Sequence, residues 1–186
     1  MKKTILLAGV ALSLFATEAK ALYLEADPYI GFDYTMARYK NASQYNGMFK
    51  KDYDAFELVG GIKTDYYVGL EGFLQRTNRE TQYSSFGKFT TNHVAFGVDL
   101  LGYYPIYSDF ELIGGIGLGS YYFRARDGFG PNTNKHAYAT RFTFGTQYNL
   151  DENWGLRATY RYIKSNQTDF FKSGNEYSVG VRYSFK

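Results

Sequence analysis

Along most of this chain the apolar residues recur at every second position, the repeat of a β-strand whose successive side chains point to opposite faces. The C-terminal stretch shows it with the sharpest contrast: Tyr177, Val179, Val181, Tyr183 and Phe185 alternate with Glu176, Ser178, Gly180, Arg182 and Ser184. Trp154, Leu156, Ala158, Tyr160 and Tyr162 alternate in the same way with Gly155, Arg157, Thr159 and Arg161. So do Tyr138, Thr140, Phe142, Phe144, Thr146 and Tyr148 with Ala139, Arg141, Thr143, Gly145 and Gln147. Five earlier segments, roughly 28–39, 54–63, 66–75, 91–103 and 110–123, repeat the pattern. Their apolar faces carry residues such as Ile30, Phe32, Phe56, Leu58, Val68, Phe96, Val98, Ile116 and Leu118. Eight strands are therefore expected.

The connections alternate in length. Thr64-Asp65, Tyr104 to Asp109 and Asn149 to Asn153 are short, whereas 40–53, 76–90, 124–137 and 164–175 run a dozen residues or more and are polar. Long loops at one end, with tight turns and both termini at the other, form the plan of an eight-stranded antiparallel up-and-down transmembrane β-barrel, and this all-β fold is the expectation. A soluble sandwich would turn the apolar faces inward. Two features oppose it. Each apolar face runs about nine to eleven residues, the length a tilted strand needs to cross a bilayer, against the usual five or six. Tyr and Trp also gather at the ends of those faces: Tyr66, Tyr67, Tyr103, Tyr104, Tyr107, Tyr148 and Trp154 beside the short turns, and Tyr39, Tyr53, Tyr122, Tyr138 and Tyr162 beside the long loops. Such belts are expected where a barrel meets the two headgroup layers.

The N-terminus adds an address. Lys2 and Lys3 precede the apolar run Ile5 to Phe15, and Ala19-Lys20-Ala21 has the small-x-small form of a signal-peptidase site. Eleven helical residues rise only about 16 Å, half of a hydrocarbon core, so residues 1–21 read as a removable signal peptide and 22–186 as the barrel domain. The whole chain carries 21 basic and 18 acidic residues, no Cys and 36 Tyr and Phe in 186 residues. That excludes a disulfide-stapled module, and a net charge of +3 without basic runs argues against nucleic acid as a partner.

Together with this pattern, the glycine-rich fifth strand Gly114-Gly115-Ile116-Gly117-Leu118-Gly119 and the ending Tyr177 to Phe185 resemble the small outer-membrane barrel superfamily of the OmpA transmembrane domain, OmpX, Ail and the opacity proteins. The resemblance implies a bacterial outer-membrane location, with long loops outside and termini in the periplasm, and a last strand read by the barrel assembly machinery. Lys186 departs from the terminal aromatic residue usual in that group, and the peptidoglycan-binding domain of its longer members is not expected here.

If the apolar faces meet lipid, the opposite faces fill the lumen. They carry the acids Asp33, Glu57, Glu71, Asp99, Glu111 and Glu176 and the bases Arg141, Arg157, Arg161 and Arg182. Eight strands enclose a space that side chains alone can fill, so these charges are expected to pair as a structural network rather than line an ion path. The arginines all come from the last three strands, so closing the barrel should bring Arg182 beside Asp33.

No catalytic constellation stands out. Gly115, Gly117 and Gly119 recur at strand period without a following Lys-Ser/Thr, which excludes a phosphate loop. The two histidines read His93-Val94-Ala95 and His136-Ala137-Tyr138, so neither has a serine two residues on, as barrel deacylases do; only a loop dyad of Ser84 or Ser85 with His93 remains. Two His and no Cys predict no transition-metal site, and no cofactor is expected.

The long loops are basic. Lys40, Lys50, Lys51, Arg76, Arg79, Lys88, Arg124, Arg126, Lys135, Lys164 and Lys172 stand against Asp52, Glu80, Asp127 and Asp169, a net of +7, while Asp27, Asp65, Asp109, Asp151 and Glu152 mark the short-turn end. The expected partners are outer-membrane lipids, above all lipopolysaccharide phosphates at this rim. The further possibilities are adhesion to an anionic host polymer through Lys50, Lys51, Arg76, Arg79, Arg124, Arg126 and Lys172, and a small pore.

Overall fold

A computed structural model describes residues 26–41, 51–64, 67–84, 87–127, 133–166 and 171–185. The expected signal peptide, Tyr66, Ser85 and Lys50 lie outside the described residues. The strands are β1 (Ala26–Asn41), β2 (Asp52–Thr64), β3 (Val68–Thr77), β4 (Glu80–Ser84), β5 (Gly87–Tyr107), β6 (Phe110–Asp127), β7 (Thr133–Asn149), β8 (Trp154–Ser165) and β9 (Phe171–Ser184). Every ladder is antiparallel. β9 lies between β8 and β1, and β3 pairs with β5, so the sheet closes on itself. β3 and β4 share one partner: Arg76 faces Val94 and Glu80 faces Thr91 on β5, so β4 resumes the line of β3 after a short break. The result is a closed barrel of eight staves.

Its polarity is inverted relative to a soluble protein. Ile30, Phe32, Leu58, Leu74, Phe96, Val98, Ile116, Leu118, Leu156, Val179 and Val181 face outward and are exposed, while Asp33, Glu57, Glu71, Asp99, Arg141, Arg157, Arg161 and Arg182 are buried inside. Within the apolar band one parity of each strand faces lipid and the other the lumen; at the outer end of β9, opposite the irregularity at Lys40 and Asn41, Phe171 turns inward although it shares the odd parity of Tyr177 and Val179.

Two expectations need correction. The connections at 76–90 and 124–137 are largely strand: β4 pairs with β5 up to Ser84 opposite Gly87, and β6 and β7 pair up to Ala125 opposite Thr133. These hairpins project past the apolar band. The belts also lose three members. Tyr67, Tyr104, Tyr107, Tyr148 and Trp154 are exposed at the short-turn end, and Tyr122, Tyr138 and Tyr162 at the other, but Tyr39, Tyr53 and Tyr103 are buried in the lumen. Tyr39 shares the odd parity of Asp33 and Thr35 on β1, so its side chain must turn inward whatever its height along the strand.

Candidate functional site: the lumen, its cap and the outer rim

The lumen charges stack in layers. Nearest the short-turn mouth, the Arg157 guanidinium donates through Nη1 to Glu71 Oε2 at 2.6 Å, through Nε and Nη2 to Gln147 Oε1 at 3.0 and 2.8 Å, and through Nη2 to Tyr103 Oη at 3.2 Å. Tyr29 donates to the same Glu71 oxygen at 2.9 Å. Beside it Arg182 donates to both oxygens of Asp33, the Nη2 bond at 2.9 Å, across the ladder joining the last strand to the first. In the middle layer Arg161 Nη2 sits 2.8 Å from Glu57 Oε1, and its Nη1 donates to Ser178 Oγ at 2.9 Å. Arg141 Nη2 lies 3.5 Å from both Glu57 and Asp99, with its guanidinium 3.4 Å above the Phe73 ring. Four arginines thus face four carboxylates, each buried charge answered by its opposite, as a dry interior demands.

Two lumen acids lie outside that set. Glu111 pairs with Lys63, a base absent from the expected lumen set although the parity of β2 marks it as inward-facing. Among the described residues Glu176 meets no arginine within ion-pair distance: it accepts from Tyr39 Oη at 2.6 Å and from Gln75 Nε2 at 3.3 Å. Room for the charges comes from glycine. Gly117 faces Asp99 on one side and Arg141 on the other, and Gly180 faces Asp33 and Arg157. A Cβ at either glycine would run into the carboxylate of Asp99 or Asp33.

Above the charges the lumen ends in packed rings. Tyr39 meets His93, Phe123 and Phe171 edge-on at centroid distances of 5.2, 5.5 and 5.7 Å, and His93 lies 5.1 Å from Tyr53 and 4.8 Å from Phe123. His93 is fully buried here, with Nε2 3.2 Å from Tyr39 Oη. That corrects the loop dyad: Ser84 lies at the far end of the β4–β5 hairpin, facing Gly87, six residues or about 20 Å along β5 from His93. At the opposite mouth a cavity of about 360 Å³ is floored by Tyr29, Tyr103, Arg157 and Arg182 and bordered by Asp27, Asp109, Asp151 and Glu152. Asp151 accepts the backbone N–H of Trp154 at 2.7 Å and of Asn153 at 2.8 Å, and these bonds hold its carboxyl below the usual carboxylate range. Among the described residues no three His, Cys, Asp or Glu side chains converge on a metal position.

The basic residues of the outer rim point into solvent. Lys51, Arg76, Arg79, Arg124, Arg126 and Lys172 are exposed. Arg124 Nε donates to Asn134 Oδ1 across the β6–β7 ladder at 3.2 Å, and Arg38, unnoticed in the sequence, pairs with Asp52. Arg76, Arg124 and Arg126 stand within three neighbouring staves, at or just beyond the level of Tyr122.

An apolar exterior between aromatic belts and an interior filled by paired charges define a small membrane-spanning barrel. The outer membrane protein beta-barrel domain family matches residues 7–185, and the chain belongs to it. It is a protein of the bacterial outer membrane. No curated protein matches the sequence. Among solved structures, Neisserial surface protein A superposes with a TM-score of 0.70 at 17% identity, over 86% of this chain and 99% of that one. Ail of Yersinia pestis, in complex with the heparin analogue sucrose octasulfate, gives 0.59 at 19% identity over 87% and 99%. OprH of P. aeruginosa gives 0.57 at 18% over 86% and 99%.

Proposed function

We propose that this protein is a structural barrel of the envelope, with its long hairpins outside the cell and both ends of the chain in the periplasm, and that its basic rim engages the phosphates of lipopolysaccharide. The observation that carries the reading is the position of Arg76, Arg124 and Arg126, exposed at or just beyond the belt of Tyr122 and Tyr138, where anionic headgroups meet the wall. The paired lumen charges and the ring cap support a structural rather than conducting role, since they leave little room for a water column. Residues 1–21 belong to this proposal as a signal peptide, with Leu22 the first residue of envelope-purified protein, and the last strand as the segment that the assembly machinery reads. The test replaces Arg76, Arg124 and Arg126 together by Gln and measures retention of lipopolysaccharide against its dephosphorylated form. The parent should favour the phosphorylated form and lose that preference as salt rises above physiological strength, where the screening length is about 8 Å. Equal retention by parent and variant would overturn the reading.

A second reading is adhesion to a sulfated polymer, favoured by the rim charges together with the heparin analogue bound by the similarly folded Ail. Salt-sensitive capture of intact cells on immobilised heparin, lost in the same triple variant, would support it. Capture that ignores both charge and salt would remove it.

A further inference from the structure

A histidine on a strand can find its serine across the ladder as well as along the chain. Ser120 on β6 faces Tyr138 on β7, and Tyr122 faces His136, so Ser120 and His136 are diagonal neighbours. Both lie on the outward parity of their strands, and Ser120 Oγ is 2.7 Å from His136 Nε2, within the reach of a nucleophile for its base. The imidazole is held on two sides: the Tyr122 ring stacks against it at 4.3 Å between centroids, and the Tyr138 ring meets it edge-on at 4.4 Å. Those contacts fix the ring's orientation, the positional part of what a third group does in a catalytic triad.

The surroundings fit one class of substrate. Ser120, 8% exposed, is a small side chain among the large exposed ones of Phe96, Leu118, Tyr122 and Tyr138, so the wall is recessed over its hydroxyl. Tyr122 and Tyr138 belong to the belt at the hairpin end, the depth at which acyl chains join their headgroups. Arg124, tied to Asn134, stands one step further out on the same face, where it can hold a lipid phosphate.

We propose that Ser120 and His136 form a nucleophile–base pair that cleaves fatty-acyl esters of membrane lipids at the wall of the barrel. Ser120 Oγ bonds to the ester carbonyl carbon while its proton passes to His136 Nε2. The ester C–O bond then breaks, the departing alcohol takes that proton, and an acyl-serine remains. Water repeats the step: its oxygen bonds to the acyl carbon, its proton passes through Nε2 to the departing Ser120 oxygen, and a free fatty acid leaves. Ester and water become alcohol and acid, with no other reactant.

The test uses the folded barrel in detergent and in vesicles. A fluorophosphonate probe should form an adduct that peptide mapping places on Ser120, absent from Ser120→Ala and slowed about a hundredfold or more in His136→Gln. Heat-modifiable mobility should match the parent in both variants, and the mapped parent adduct keeps the experiment decisive should a variant not fold. Fatty-acid release from phosphatidylethanolamine vesicles and from purified lipopolysaccharide, each compared with Ser120→Ala, tells a glycerophospholipid ester from an acylated glucosamine. A folded parent that takes no probe at Ser120 overturns the nucleophile, and labelling without release from either lipid overturns the lipid-ester assignment.

Discussion

Replacing Arg182 by Ala removes a two-pronged ion pair from the lumen. Arg182 donates to both Asp33 oxygens, and Arg161 Nη2 lies 3.7 Å from the same carboxylate. Glu71, by comparison, would keep the Tyr29 hydroxyl at 2.9 Å and Arg182 at 3.7 Å if Arg157 were removed. Arg182→Ala therefore strands a buried carboxylate without either of its charge-assisted hydrogen bonds, a loss on the order of 3–5 kcal/mol. Arg38→Ala is the control: Arg38 and Asp52 are 73% and 58% exposed, and such pairs contribute about 0–1 kcal/mol. Urea unfolding in lipid vesicles, followed by the single tryptophan Trp154 and by heat-modifiable mobility, reads the difference. At a slope of about 2 kcal/mol per molar, the midpoint should fall by roughly 1.5–2.5 M for Arg182→Ala and by under about 0.5 M for Arg38→Ala. Adding Asp33→Asn to Arg182→Ala removes the stranded charge and should restore part of the loss. If Arg182→Ala shifts the midpoint no more than Arg38→Ala does, the lumen is wet and the electrostatic argument fails.

Val179, 59% exposed on the lipid face, should tolerate no charge: Val179→Arg is expected to cost about 2–4 kcal/mol near mid-bilayer and to lower the yield of heat-modifiable barrel, and a parental yield would reverse the assignment of faces. Gly117→Val forces a side chain into the Asp99 carboxylate and should impair folding more than Gly114→Val, where a Cβ meets nothing within 4 Å; equal yields would refute the packing argument. Because the folded Asp151 carboxyl is depressed, its contribution to stability is present above the ordinary carboxylate value and fades as pH falls through the folded value. A pH series on the parent and Asp151→Asn should therefore diverge at neutral pH and converge in acid; parallel curves would count against the turn hydrogen bonds. Phe171→Ala removes one ring from the cap and should raise single-channel current above a near-silent parent, whereas a parent that already conducts would return the pore to contention.

Much of the barrel was legible because a bilayer imposes contrast: within its thickness one parity must be apolar, so β8 and β9 announce themselves in Trp154 to Tyr162 and Tyr177 to Phe185. Past the headgroups both faces of a hairpin meet water or each other. Thr81, Thr90 and Arg124 give no alternation there, and the extensions of β3, β5 and β6 read as loop. Tyr39 and Tyr53 were misplaced for another reason: their height suggested a belt, whereas parity, which decides the face, placed them inside. Parity identified the ten lumen charges and closure of the barrel anticipated Arg182 beside Asp33, but the other pairings depend on register between strands and were not legible. The Ser120–His136 contact was hidden in the same way. It exists because Ser120 falls opposite Tyr138, and a slip of two residues that set Ser120 opposite Thr140 would remove it.

Closure through β9 and β1 places a seam between the first strand and the last, from Tyr29 with Ser184 to Asn41 with Phe171. Until that seam is joined, β1 presents an open hydrogen-bonding edge and Asp33 lacks its Arg182, so seven staves are not a smaller version of eight. Such an intermediate would be an unclosed sheet with a stranded acid. Much of the molecule's stability therefore depends on the seam between β1 and β9, and the fold offers no safe halfway point. A chain shortened within β9 should behave as an unassembled polypeptide, because neither the seam with β1 nor the Arg182–Asp33 pair can then form.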